Sequence, residues 1–290
     1  MLDEDKNLLR ETRFSKPEFI ANLAQQRKRC TSLNEPRRLL IIAADHPARG
    51  TINVGSHPTA MRDRYDLLDR LTTALSISGV DGVLGTPDII EDLLLLGALQ
   101  NKVVFGSMNR GGLAGAVFEM DDRFTAYTPE AIVKSRLDGG KMLLRINLDD
   151  PGTVSTLAAC ASAVTHLAAA GRIAMLEPFI SKRIDGRSQN ELTTEAVIRS
   201  MGIASALGTT SAYSWLKVPV LDDMSQVAEA TTLPLVLLGG ERSGQPDEMF
   251  GRWERALQFP GVRGLVVGRN LLYPDDNDVE TAVKMAVSLL

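Results

Sequence analysis

Cysteine is nearly absent from this 290-residue chain, which holds only Cys30 and Cys160. Two thiols cannot build a disulfide framework or a four-thiolate zinc site. Histidine is as scarce. His46, His57 and His166 stand far apart, with no HxH, HExxH or Cys-rich spacing, so neither a histidine-held metal nor another resident cofactor is expected. There is no basic excess: 32 Lys+Arg stand against 36 Asp+Glu, a net charge of −4. That balance lacks the electrostatic footprint of a nucleic-acid binder. Long apolar runs are missing too. Ile89–Leu99 is broken by acidic residues and is too short to span a bilayer. The opening MLDEDKNLLRETRF is charged throughout and has no apolar signal-peptide core. A cytoplasmic protein with no membrane partner is expected.

What the chain does have is a regular alternation. Apolar runs at Leu39–Ala44, Gly82–Gly85, Lys102–Gly106, Met142–Ile146, Ile173–Leu176, Trp215–Val218, Pro234–Leu238 and Gly264–Val267 read as strands buried on both faces. Helical stretches follow them at Thr59–Ser78, Pro87–Leu99, Pro129–Leu137, Pro151–Ala170, Gln189–Leu207, Met224–Ala230, Pro246–Leu257 and Asp278–Leu290. Eight strand–helix pairs at roughly 30 residues each match the count of a (β/α)8 TIM barrel. No GxGxxG follows the first strand, as a dinucleotide fold would require. The expected organisation is an N-terminal helical extension over 1–38 and a single barrel domain over 39–290. A helix around Lys16–Cys30 would close the barrel's bottom. The Gly-rich segment Ser107–Thr128 breaks the rhythm, and is either a lid or an insertion packed on the rim.

In a barrel, chemistry sits where strands end and βα loops begin. Lys217 gives the sharpest signal there, inside the otherwise apolar SWLKVPV. Period-two alternation puts Trp215, Lys217 and Pro219 on one face, and the apolar helix side favours the barrel interior for it. A positioned amine near a second cation suits Schiff-base chemistry, and Arg145 in KMLLRINLDD is the expected cation. The structural alternative is a buried ion pair of Lys217 with Asp45 or Glu177. His46 and Arg49, in AADHPARG, are expected to line the mouth. The turns LGGERSG and VVGRN supply Gly239, Gly240, Arg242, Ser243, Gly268 and Arg269 as a candidate phosphate cradle, or as turn glycines beside solvated arginines. Asp149–Asp150 read as helix-capping charge and Asp121–Asp122 as solvated.

Together AADHPARG, WLKVP, LLGGERSG and GLVVGRNLL resemble class I aldolases. The chain is similar to the archaeal-type fructose-bisphosphate aldolases, their deoxyribose-phosphate and tagatose-bisphosphate relatives, and an actinobacterial branch found among inositol-catabolism genes. The resemblance implies Lys217 as the Schiff-base lysine and Asp45 as an acid–base residue. It also implies phosphate binding by Gly239, Gly240, Gly268 and Arg269, and a homo-oligomer. Arg145 falls where many relatives carry a second lysine. Relatives of the fructose-bisphosphate type place a Tyr after the fifth strand, whereas EPFISKRIDGRS has none. That leaves Glu177 or Lys182 as substitutes and argues against fructose bisphosphate. The expected reaction is cleavage of a phosphorylated keto-sugar or keto-acid. The inositol branch suggests 6-phospho-5-dehydro-2-deoxygluconate, split into dihydroxyacetone phosphate and malonate semialdehyde. The rivals are a phosphosugar isomerase or epimerase, and a non-catalytic phosphosugar-binding protein.

Overall fold

The computed structural model describes residues 1–33, 35–109, 112–240 and 246–290. Eight parallel strands close on themselves: β1 (Leu39–Ala43), β2 (Gly82–Gly85), β3 (Val103–Ser107), β4 (Gly139–Ile146), β5 (Ile173–Ile184), β7 (Ser214–Val218), β8 (Leu235–Leu238) and β9 (Val262–Val267). Each pairs with the next around the ring, and β9 pairs back to β1. The ninth strand, β6 (Arg187–Asn190), runs antiparallel to the overhanging end of β5. The fold is a (β/α)8 barrel preceded by helices.

Side chains alternate as buried strands dictate. Ile41, Ala43, Leu84, Val103, Phe105, Met175 and Val266 fill the interior. Leu40, Ile42, Val104, Leu176, Leu216 and Leu265 face the helices instead. Those helices are α3 (Arg64–Ser76), α4 (Pro87–Leu95), α5 (Pro129–Lys134), α6 (Gly152–Ala169), α7 (Thr194–Ser205), α8 (Met224–Glu229), α9 (Pro246–Leu257), α10 (Arg269–Leu272) and α11 (Val279–Ser288). Asp63, Thr128, Thr193, Asp223 and Asp278 cap five of them by accepting first-turn N–H bonds.

Several expectations need correction. The leading helix is two, α1 (Asp3–Ser15) and α2 (Glu18–Gln26), which pack on α4. Cys30 lies beyond α2 rather than on a helix. The bottom is closed by the segment that follows: Cys30 and Leu33 pack under the interior cluster. There Arg27, 1 % exposed, donates to the carbonyls of Lys102 and Arg136. It also pairs with Asp138, as does Arg29.

Strand β4 begins at Gly139, three residues before the expected Met142. Its glycines are packing requirements, not a turn. A Cβ on Gly139 would meet Phe105 Cε1 at 2.6 Å, and one on Gly140 would collide with Met108 Sδ. The expected helix Gln189–Leu207 starts only at Thr194, because its first residues belong to the β5–β6 hairpin. That hairpin turns on Asp185–Gly186, both at positive φ, the two-residue Asp-Gly signal of a type I′ turn. Among the described residues, α6 is long and apolar enough to cross a membrane, contrary to the sequence reading. It packs along β4 and β5, so its apolar face serves the barrel.

Candidate active site

Four charged side chains meet at the C-terminal ends of the strands. Lys217 on β7 points inward, as its alternation requires, and is 3 % exposed. Its Nζ donates to Glu177 Oε1 on β5 at 2.7 Å. The other oxygen of Glu177 pairs with Lys141 Nζ on β4. Lys141 is fully buried and also lies 3.4 Å from Asp45 Oδ2, just past β1. Ser107, which ends β3, donates to that same oxygen at 3.1 Å. Two ammonium groups and two carboxylates thus balance in a buried cluster, the condition under which buried charge is tolerated.

Arg145 is not the second cation. It shares the inward face of β4 with Lys141, but its fork closes on Asp122, with Nε–Oδ2 at 2.8 Å and Nη2–Oδ1 at 2.5 Å. Asp122 is correspondingly buried, not solvated. This pair anchors the loop after β3. Asn109 adds bonds to the Asp122 carbonyl and to both backbone groups of Leu143. Arg49 ties the same loop to β1 through the Gly112 carbonyl at 3.0 Å and Glu119 at 3.5 Å. The loop is an insertion packed on the rim. Asp121, by contrast, pairs with exposed Arg123.

His46 follows Asp45 directly, with Nδ1 3.8 Å from Asp45 Oδ1. Burial above all, then the nearby Arg269, Lys217 and Lys141 cations, hold its pKa well below the ordinary 6.5. The ring is neutral at physiological pH. Arg269 opens α10, with Nη1 3.4 Å from the Asn53 carbonyl.

The cradle glycines have packing reasons of their own. A Cβ on Gly268 would collide with the Ala43 carbonyl, and one on Gly239 would sit 2.7 Å from Val267 Cγ1. Gly240 has φ +70°. Arg242 and Ser243 lie outside the described residues. Lys182 is 63 % exposed on the hairpin and pairs with Glu191, away from the cluster. Asp150 accepts from the Gly152 N–H at 2.9 Å in an Asx turn ahead of α6, whose N-cap is Pro151 and has no side-chain cap, contrary to the capping expectation.

A family model for Cgl0159-like proteins matches residues 37–287. The chain belongs to the Cgl0159-like family. The crystal structure of Cgl0159 from Corynebacterium glutamicum (Brevibacterium flavum) is similar at 53 % identity and a TM-score of 0.96, over 100 % of this chain and 97 % of that one. An archaeal fructose 1,6-bisphosphate aldolase superposes at TM-score 0.65 with 16 % identity, covering 93 % of this chain and 98 % of its own. The fructose-bisphosphate aldolase of Slackia heliotrinireducens gives 0.63 with 17 % identity, over 98 % and 84 %. At those identities the two aldolases show the fold alone, a (β/α)8 barrel. No curated protein matches the chain.

Sequence reasoning missed Lys141, Ser107 and the Asp122–Arg145 anchor. Carrying the alternation back from Arg145 through Leu143 reaches Lys141. Starting the strand at Met142 cut that alternation one residue short of it.

Proposed function

We propose that this protein is a class I aldolase acting on a phosphorylated keto-sugar or keto-acid, with Lys217 as the imine-forming residue. The observation that carries the reading is the pair of buried lysines sharing Glu177 at the barrel mouth. Glu177 Oε1 is placed to take the ammonium proton from Lys217 Nζ as the amine attacks the keto carbon. Loss of water leaves a protonated imine, an electron sink that divides a difficult carbanion step into easier ones. Lys141 keeps a fixed cation beside the developing charge, and Asp45 with Ser107 holds Lys141 in place. Removal of the hydroxyl proton then lets the C–C bond break into an aldehyde and an enamine. Asp45 and Glu177 are the carboxylates assigned to protons on oxygen and nitrogen. The Gly239–Gly240 turn, Gly268 and Arg269 are assigned to the substrate phosphate.

For the substrate we infer 6-phospho-5-dehydro-2-deoxygluconate, split to dihydroxyacetone phosphate and malonate semialdehyde. Arg145 is committed to Asp122 and Lys182 lies on the exposed hairpin. Arg49, whose pair with Glu119 is looser at 3.5 Å, is therefore assigned to the carboxylate, which its planar fork suits. The Lys217–Glu177 ion pair also favours a second reading: a phosphosugar-binding or isomerase barrel in which Lys217 acts only by its charge.

Borohydride reduction in the presence of this acid, fructose 1,6-bisphosphate or deoxyribose 5-phosphate separates the two. The aldolase reading expects a fragment's mass added to the peptide holding Trp215–Pro219, and a folded but inactive Lys217→Met. A fully active Lys217→Met would end it. A coupled assay for dihydroxyacetone phosphate, with triosephosphate isomerase added to convert the glyceraldehyde 3-phosphate that deoxyribose 5-phosphate would release, ranks the substrates. A preference for either sugar lacking the carboxylate would sink the substrate assignment alone.

A further inference from the structure

We propose that His46 carries the carbon-bound proton into and out of the enamine, an inference that rests on the aldolase reading above. Class I chemistry moves two kinds of proton. Those on oxygen and nitrogen transfer readily, but the one on carbon needs a base that touches the substrate and can exchange with water. The two carboxylates are poorly placed for that work. Asp45 is fully buried, held by Lys141 and Ser107. Glu177 is divided between two ammonium groups. Arg49 and Arg269 keep their protons in proteins and cannot serve as bases.

His46 meets both requirements. Its backbone is fixed at the start of the 3-10 turn Pro47–Arg49, where its carbonyl accepts from the Arg49 N–H at 3.0 Å. The turn itself thus holds the His46 backbone next to Asp45. Its Nδ1 is buried on the Asp45 side and makes no protein hydrogen bond, while the side chain as a whole is 26 % exposed. Nε2, the ring nitrogen not turned to Asp45, is the one assigned to a substrate bound on Lys217. Arg269 from α10, Lys217 from β7, Lys141 from β4 and Glu177 from β5 all act on it, and burial with the three cations keeps the imidazole unprotonated and so able to accept a proton. The position also answers the missing tyrosine, because the end of β5 runs out into the hairpin, where Lys182 is exposed and paired with Glu191.

The step balances within the imine. Nε2 takes the proton from the carbon next to the protonated C=N bond. The C–H electron pair becomes the enamine C=C, and the C=N electrons settle on nitrogen. The resulting imidazolium exchanges its proton with water and returns one to the same carbon.

Dihydroxyacetone phosphate in D2O tests this with two readouts on the same protein. One is solvent exchange at the carbon, followed by NMR. The other is borohydride trapping on Lys217, followed by mass. In His46→Gln, with an unchanged thermal melt, exchange should fall about 100-fold or more while trapping persists. Added imidazole should restore part of the exchange in His46→Ala, which a merely structural histidine would not show. Wild-type exchange in His46→Gln, or joint loss of trapping and exchange in the folded variants, would overturn the role. A wild-type protein that neither traps nor exchanges would overturn the aldolase reading and this inference with it.

Discussion

Arg269 follows β9 and Lys217 lies on β7, with β8 between them, and the chemistry proposed for the two separates by substrate. Removing a charge-assisted partner of a phosphate costs about 1.5–3 kcal/mol. Arg269→Ala should therefore raise KM for the phosphorylated substrate roughly ten- to a hundredfold by that figure, and leave a dephosphorylated analogue little changed. Equal losses on both would make Arg269 structural. At this scale Lys217 was legible because a lone cation in an apolar strand has few places to go. Asp45 and Glu177 were legible as charges at strand ends. Lys141 was not, because the expected strand began one residue after it, at Met142; the two glycines before it answer to the close approach of Phe105 and Met108.

Elements add what single residues do not. The loop after β3 is held by Arg145 on buried Asp122. Arg145→Met strands that carboxylate, and an uncompensated buried charge costs about 3–5 kcal/mol. Trypsin should then cut at exposed Arg123 faster than in the wild type. An unchanged cleavage rate would show that Asn109 and Arg49 suffice to hold the loop. At the opposite face Asp138, 1 % exposed in its side chain, joins Arg27 and Arg29 and accepts the Val104 N–H at 2.8 Å. Asp138→Ala leaves Arg27 buried without its carboxylate. By the same reasoning it should lose about 3–5 kcal/mol in urea unfolding, and a loss below about 1 kcal/mol would mean the N-terminal segment contributes little. The hairpin signal Asp185–Gly186 was present in the sequence, but the helix expected from Gln189 took in the end of the hairpin's second strand.

The whole molecule should be most stable between two pH limits. His46 has a folded pKa below 6.5, so the unfolded chain binds the extra proton first as pH drops. Its contribution is complete above 6.5 and is lost as pH falls toward the folded value. Burial pushes the Cys160 thiol from 9.0 up to about 12, and pushes Tyr127 upward too. Those groups favour folding below their ordinary pKa, and the benefit disappears as pH rises through that interval. Urea midpoints against pH should fall on both sides. The acid limb should flatten in His46→Gln and the alkaline limb in Cys160→Ala; parallel curves would assign both limbs to other groups. The sequence by itself determined the eightfold strand–helix alternation, the inward face of Lys217 and the charges at the strand ends, since each follows from local period and burial. Only the tertiary structure decided which charges meet. Period two gives the side of a strand, but the stagger of strands around a closed barrel gives the height. Lys141 and Arg145 share one face of β4, and height alone puts the first beside Glu177 and the second on Asp122.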